Sequence, residues 1–191
     1  MIQYGFYFDM QRCVGCRVCQ IACKGKNGLA LEATLLKVRT FETGVYPAPG
    51  IYHFPVMCSH CTNPPCLPVC PVKAIRKLAN GIVDIDAETC IGCRACIASC
   101  PYMTIHFIED EKIAKKCDFC RDLIETGGNP ACVDACMTRS LHWGEIGELA
   151  VRHPGAVKDI PILPSSALTN PSKLISTRKA AYMQPFVEKR V

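Results

Sequence analysis

Sixteen of the 191 residues are cysteines, and they fall into four groups of four along the chain. The first and third groups have the spacing C-x2-C-x2-C-x3-C, the second C-x2-C-x4-C-x3-C and the fourth C-x2-C-x11-C-x3-C. Such runs of thiolates are typical ligands of [4Fe–4S] clusters, each of which takes four. The cysteines therefore suffice for four [4Fe–4S] clusters and predict redox chemistry. The groups are Cys13, Cys16, Cys19 and Cys23; Cys58, Cys61, Cys66 and Cys70; Cys90, Cys93, Cys96 and Cys100; and Cys117, Cys120, Cys132 and Cys136.

The fourth cysteine of each group is expected to bind a different cluster from the first three. Three closely spaced thiolates cap three irons, and in two-cluster ferredoxins the fourth cysteine of each run serves the other cluster. We therefore expect the second and third groups to exchange their fourth cysteines, and the first and fourth groups likewise. The predicted ligand sets are Cys13, Cys16, Cys19 and Cys136 (set 1); Cys58, Cys61, Cys66 and Cys100 (set 2); Cys90, Cys93, Cys96 and Cys70 (set 3); and Cys117, Cys120, Cys132 and Cys23 (set 4).

Zinc and disulfides are the alternative uses of these cysteines. The fourth group taken alone could pass for a zinc ribbon, but zinc favours two separated pairs of ligands rather than three thiolates within seven residues. A disulfide scaffold is usually shorter and carries a secretory signal. A self-contained iron–sulfur enzyme would need an iron with only three protein ligands, and the cysteine count leaves no such iron.

The order of the groups predicts an α+β fold made of two nested bacterial-ferredoxin-like modules. The second and third groups both end in Cys-Pro, at Cys70-Pro71 and Cys100-Pro101, as ferredoxin runs do. They predict an inner module at 58–109, and the outer groups predict a surrounding module at 1–57 and 110–152. Strand pairs are expected at 74–78 with 82–85, 104–108 with 112–114, 5–8 with 141–143, and 35–41 with 51–56. Helices are expected at 16–24, 93–99, 117–125 and 145–152.

Residues 153–191 carry repeated prolines and no further cysteine, which predicts an extended Pro-rich C-terminal arm. From Pro171 onward this segment has five basic residues and one acid, Glu188. Two interpretations stay open: a solvated tail, and an arm that lies on a partner subunit. The proportion of the chain given to this segment favours the arm.

The formal charge of +5 does not indicate nucleic-acid binding. An oxidised cluster with four thiolates carries about −2, so a chain with four clusters would have a net charge of about −3. The N-terminus has no apolar segment typical of a signal peptide, and no apolar stretch is long enough to span a bilayer. We expect a chain made in the cytoplasm that folds with the help of its metal sites.

Two histidines are candidates for roles beside the clusters. His60 lies between Cys58 and Cys61, where it could donate a hydrogen bond to a sulfur and tune the cluster's potential; a neutral surface residue is the alternative. His106 follows the third group and could mark an exit point for electrons, but a packed structural role is favoured. The sequence shows no nucleophile–base pair and no phosphate-binding loop, so no catalytic residue and no direct small-molecule substrate are predicted.

These motifs resemble a known family, the four-cluster iron–sulfur subunits of molybdopterin oxidoreductases, and most closely the dimethyl sulfoxide reductase type. The similarity begins at Gln3-Tyr-Gly-Phe6, includes all four cysteine groups, and continues to His153-Pro-Gly155. The resemblance implies a non-catalytic electron-transfer subunit in an anaerobic respiratory complex. Its partners would be a large molybdopterin catalytic subunit and an integral membrane anchor that oxidises quinol. Subunits of formate dehydrogenase, polysulfide, thiosulfate and cytochrome-nitrite systems stay open.

The resemblance also implies a location and a cluster type. The chain would be peripheral to the inner membrane through its partners, either in the cytoplasm or exported folded with a partner that carries a twin-arginine signal. Nitrate reductase electron-transfer subunits have tryptophan at the second cysteine of the third group and hold a three-iron cluster there. This chain keeps Cys93, which predicts a four-iron cluster at that site.

Overall fold

Short strands and helices connect the cysteine loops in the computed structural model, which describes residues 2–189. The ten strands are β1 Tyr4–Asp9, β2 Leu36–Thr43, β3 Gly50–Met57, β4 Ile75–Lys77, β5 Val83–Ile85, β6 His106–Ile108, β7 Ile113–Lys115, β8 Leu141–Glu145, β9 Lys173–Ser176 and β10 Phe186–Lys189. The five α-helices are α1 Val18–Lys26, α2 Ala95–Ser99, α3 Arg121–Glu125, α4 Ala131–Asp134 and α5 Ile146–Arg152. Short 3-10 helices lie at Ser166–Leu168 and Lys179–Tyr182. Among residues 2–189, no apolar helix reaches the length of about 20 residues that a bilayer-spanning segment needs.

Two antiparallel hairpins form where the sequence predicts them. In the first, β4 pairs with β5 around Asn80-Gly81, where Gly81 has a φ of 81° that suits glycine. In the second, β6 pairs with β7, with His106 opposite Lys115. The second hairpin includes residues on both sides of the predicted module boundary at 109–110. That boundary therefore falls inside a paired unit.

The start of the chain and the end of the fourth cysteine group meet in one sheet. β1 pairs antiparallel with β8, so that Gly5 lies opposite Gly144 and Phe8 opposite Leu141, as predicted for 5–8 and 141–143. A second sheet is built on the long β2–β3 hairpin, which also forms where it is predicted.

The C-terminal segment is not a separate arm, and this corrects the sequence-based prediction. β9 pairs in parallel with β1, and β10 pairs antiparallel with β2, so the segment completes both three-stranded sheets. Ile175 in β9 is fully buried, and Leu174 is almost so. Both strands satisfy backbone groups along a sheet edge, and the prolines lie outside them. β9 also buries apolar side chains, whereas the side chains of β10 stay exposed.

Cysteines form a large part of the interior. The larger core joins aromatic side chains of β1, β2 and β3 to cysteines of the first and fourth groups and to Cys58. Phe6 and Phe119 stack in this core with ring centroids 4.3 Å apart. A smaller core contains Cys66 and Cys96 among short aliphatic side chains. The cysteine groups and the packed cores are therefore the same regions of the molecule.

Candidate metal centres

The first and third cysteine groups fold in the same way. In each, the residue before the second cysteine is a glycine with positive φ, 70° at Gly15 and 68° at Gly92. A Cβ at Gly92 would collide with the carbonyl oxygen of Lys112, so the loop requires glycine there. The residue after the second cysteine, Arg17 or Arg94, is also left-handed, and a helix begins next. The third cysteine therefore lies in the first turn of that helix.

A second repeated feature follows the fourth cysteines of groups two, three and four. Three residues further on, Lys73, Met103 and Arg139 have φ values of 53°, 51° and 51°. Their N–H groups donate to the carbonyls of the respective fourth cysteines at 3.2, 3.1 and 3.0 Å. The sequence pattern missed this common turn, because the fourth group lacks the proline that marks the other two. The shared conformation makes the fourth group a closer match to the inner groups than its spacing indicates.

Set 1 surrounds a cavity beside α1. Cys13, Cys16, Cys19 and Cys136 all line it, so three cysteines of the first group meet the last cysteine of the fourth. Burial, together with the smaller effect of the charges of the other three cysteines, raises the pKa of the Cys19 thiol to about 12. Such proximity of four thiols suits a metal centre that binds thiolates.

Set 4 surrounds a second cavity, near the end of α1. Its cysteines are Cys23, Cys117, Cys120 and Cys132, and α4, which the sequence analysis did not predict, carries Cys132. The pKa of the Cys23 thiol is raised to about 12, mainly by burial and next by the charge of Cys120. Helices α1 and α4 pack together and so bring the first and fourth groups into contact.

Sets 2 and 3 use the crossed cysteines of the inner groups. Burial raises the pKa of the Cys66 thiol to about 12, and the charges of Cys58, Cys100 and Cys61 also raise it. A cavity lined by Cys70, Cys90, Cys93 and Cys96 contains the remaining four cysteines. The structure thus gathers all sixteen cysteines into four groups of neighbours, each with one member from a distant part of the sequence.

The four sets are also neighbours of one another in a definite order. Among the charges that raise the pKa of Cys132, after burial, is that of Cys19, which brings set 4 next to set 1. The pKa of Cys117 is raised by burial and then most strongly by Cys58, which brings set 4 next to set 2. Cysteines of sets 2 and 3 share the smaller core. The order through the molecule is therefore set 1, set 4, set 2 and set 3.

His60 is entirely buried beside set 2, so the alternative of a surface histidine is wrong. The N–H of Val83 donates to its Nδ1 at 3.1 Å, which assigns the proton of the neutral ring to Nε2. The pKa of His60 lies well below its usual value. Burial is the main cause, and the positive charges of Lys116 and Lys173 act in the same direction. Nε2 is buried and has no hydrogen-bond partner among residues 2–189.

His106 is half-buried on β6 and belongs to no cysteine set. Burial lowers its pKa, and the charge of Lys37 lowers it further. With Lys37, Arg39 and Tyr102 it lines an open pocket between the β2–β3 hairpin and the loop after the third cysteine group.

The four cysteine sets fit iron–sulfur clusters in donor type and arrangement. Within residues 2–189, no three His, Cys, Asp or Glu side chains are arranged around a single ion. Three of the sets instead line small cavities, and the unpartnered donor on His60 lies beside the remaining set. Thiolates spread around a cavity with a buried N–H donor nearby suit a cluster with several irons and bridging sulfides.

Comparison with known proteins agrees with this geometry. The sequence profile of the 4Fe-4S dicluster domain matches residues 50–146. The B subunit of anaerobic dimethyl sulfoxide reductase from Haemophilus influenzae is 36% identical over 190 residues, which is 95% of this chain and 92% of the relative. This protein belongs to the same family of iron–sulfur proteins. The family resemblance stated from the motifs is confirmed.

Two further relatives extend the comparison. The B subunit of anaerobic dimethyl sulfoxide reductase from Escherichia coli is 35% identical over 91% of this chain and 88% of its own length. Protein NrfC from Escherichia coli is 38% identical over 77% of this chain and 67% of its own length. The profile range contains the second, third and fourth cysteine groups, and the first group precedes it. The dimethyl sulfoxide reductase relatives cover nearly the whole chain.

Proposed function

We propose that this chain is the electron-transfer subunit of a respiratory oxidoreductase complex and holds four [4Fe–4S] clusters. The observation that carries the proposal is the gathering of sixteen cysteines into four sets in a continuous order. Bound clusters would supply one-electron centres. The protein's part is to hold the sites next to one another, so that electrons move along the series of sets. The catalytic site would lie on a different subunit.

The proposed ligands are the four sets predicted from the sequence. Support comes from the three cavities lined by sets 1, 3 and 4 and from the mutual influence of the thiols in set 2. The nested modules are part of the proposal as well: sets 1 and 4 would form the outer module, and sets 2 and 3 the inner one. The two apolar cores support this arrangement only in part. Cys66 and Cys96 of the inner sets lie in the smaller core, but Cys58 of set 2 lies in the larger core.

The two end sets are the proposed contact points for partner subunits. Cys16 of set 1 and Cys93 of set 3 are the exposed cysteines of the described chain. Exposed apolar side chains lie near each in sequence: Val14, Val18 and Ile21 near Cys16, and Ile91 near Cys93. Exposed apolar side chains that form a patch often mark sites of protein–protein contact.

The partners that this proposal names are a large molybdopterin catalytic subunit and an integral membrane anchor that oxidises quinol. Similarity to the B subunits of anaerobic dimethyl sulfoxide reductases over nearly the whole chain supports a terminal reductase of that type. The chain would be attached to the membrane through the anchor. Export of the folded complex would depend on a twin-arginine signal carried by the catalytic subunit.

Anaerobic purification from the native host tests the proposal. The tagged chain should co-purify with a large molybdenum protein and an integral membrane protein, and it should contain about sixteen iron and sixteen sulfide per chain. A quinol added to the whole complex should reduce the clusters and so bleach their visible absorbance. Recovery of zinc in place of iron, or of a free chain that turns over a substrate by itself, would contradict the proposal.

A further inference from the structure

Two lysines are buried at the junction between set 2 and set 4. Lys116 directly precedes Cys117, and Lys173 lies in β9 of the C-terminal segment; each is only 5% exposed. Lys116 Nζ donates to the carbonyl of Cys117 at 2.8 Å and to that of Val83. Lys173 Nζ lies 3.4 Å from the carbonyl of Met57 and 5.3 Å from the ring centroid of Phe54.

These ammonium groups lack the partner that buried lysines normally have. Their hydrogen bonds within residues 2–189 go to backbone carbonyls, and the ion pairs of that part of the chain involve other residues. A buried positive charge without a compensating negative charge is strongly unfavourable. Negative charge must therefore be present close by in the working protein.

Thiolates that hold clusters in sets 2 and 4 would supply that negative charge. Burial lowers the pKa of Lys173 to about 8, and the charges of Cys58, Cys61 and Cys117 act in the opposite direction. Lys116 in turn lowers the pKa of Cys66 and of Cys117, although burial raises both. Both lysines therefore lie near cysteines of set 2 and near Cys117 of set 4. They face no cysteine of set 3 among these interactions.

We propose that Lys116 and Lys173 raise the reduction potentials of the clusters in sets 2 and 4. The inference rests on the proposed function. An added electron makes a cluster more negative, and a fixed positive charge in a poorly solvated region stabilises that state. The C-terminal segment then has a redox role, because β9 places Lys173 at the junction.

Lys173→Met tests the proposal, because methionine keeps much of the length and apolar character of the side chain while removing its charge. The complex is purified anaerobically, and its cluster signals are followed by electron spin resonance at controlled potentials. At a fixed potential, the ratio of oxidised to reduced cluster should rise about tenfold for one or two of the four signals. For a one-electron centre, this is a shift of about 59 mV to lower potential.

Three further variants make the result specific. Lys173→Arg retains the charge and should restore most of the wild-type potential, whereas Lys179→Met removes an exposed charge from the same segment and should leave all signals unchanged. Lys116→Gln keeps a donor for the two carbonyls. It should lower the reduction potentials of the same clusters as Lys173→Met does. This variant also serves if Lys173→Met does not assemble.

The outcomes separate the inference from the proposed function. Wild-type protein without iron–sulfur clusters would overturn the proposed function. If the wild-type protein shows four cluster signals but the charge-removing variants keep unchanged potentials, the role of the lysines is overturned. The proposed function then stands. Equal shifts in Lys173→Met and Lys179→Met would likewise reject a specific effect at the junction.

Discussion

The hydroxyl of Ser140 lies 3.3 Å from Sγ of Cys136, and the N–H of Ser140 donates to the same sulfur at 3.3 Å. Burial by itself would raise the pKa of Cys136, but the hydrogen bonds from Ser140, Thr138 and the N–H of Leu141 bring it below its usual value of 9.0. The hydrogen bonds around Cys136 thus favour the thiolate form of its side chain. It is also the cysteine that joins the fourth group to the first three cysteines of set 1.

Ser140→Ala should lower the reduction potential of the cluster proposed for set 1. The change removes the hydroxyl and keeps the N–H bond, so a single hydrogen bond to the sulfur is lost. Hydrogen bonds to charged groups contribute about 1.5–3 kcal/mol, and weaker bonding to the thiolate disfavours the more negative reduced state. Potential-controlled electron spin resonance should show one signal moved to lower potential.

Ser99→Ala is the matched control for this prediction. Its hydroxyl donates to the carbonyl of Cys96 at 3.0 Å and not to a sulfur. The potential of the cluster proposed for set 3 should therefore change little. An unchanged potential in Ser140→Ala, or equal shifts in both variants, would contradict a role for the sulfur hydrogen bond.

Cys93→Ser should convert the cluster proposed for set 3 into a three-iron cluster. Cys93 is the second cysteine of its group and is exposed, so its iron is the one most open to loss once the thiolate is removed. The oxidised protein should show a new electron spin resonance signal typical of a three-iron centre. The iron content should fall by about one atom per chain.

Cys16→Ser provides the comparison at the opposite end of the relay. Cys16 holds the corresponding position in the first group and is likewise exposed. The same new signal should appear, and it should come from set 1. If either variant kept the wild-type spectrum and iron content, the assignment of that cysteine as a ligand would be incorrect.

The local elements could be predicted from the sequence because short-range signals encode them. Asn80-Gly81 marks the β4–β5 hairpin, and the cysteine spacing predicts both α1 and α2 to within two residues of their observed starts. Helix α4 was missed because its four residues, Ala131–Asp134, are too few to show a helical period. Local patterns indicate elements best when those elements are long or begin at a characteristic turn.

The C-terminal segment and the buried lysines could not be predicted in this way. The parallel pairing of β9 with β1 joins opposite ends of the chain, and no turn residue encodes such a contact. A lysine in a sequence indicates a solvated side chain, because lysines are almost never fully buried without a partner. Lys173 is an exception that becomes reasonable only when the thiolates near it are known.

His60→Phe should lower the potential of the cluster proposed for set 2. The Nε2–H of His60 is a buried donor without a partner among residues 2–189, and we expect it to donate to a sulfur of that cluster. Phenylalanine fills a similar volume without this donor. The change also removes the acceptor for the Val83 N–H, which should cost about 1–3 kcal/mol in the free energy of unfolding.

His106→Phe tests whether loss of any histidine has this effect. His106 is half-buried, and no hydrogen bond joins it to a cysteine within the described chain. All four cluster potentials should remain close to wild type in this variant. A shift in His106→Phe as large as that in His60→Phe would contradict the specific role of Nε2.

Ile175→Ala should destabilise the cluster-loaded protein, because Ile175 is fully buried in the larger core and belongs to the segment that returns to β1. Truncation of a buried isoleucine costs about 2–5 kcal/mol in the free energy of unfolding. Val187→Ala in β10 is the control, since its side chain is 55% exposed and its loss should cost little. Denaturant unfolding, followed by the loss of visible cluster absorbance, measures both variants. If Ile175→Ala unfolded at the wild-type denaturant concentration, the C-terminal segment would not be part of the cooperative core.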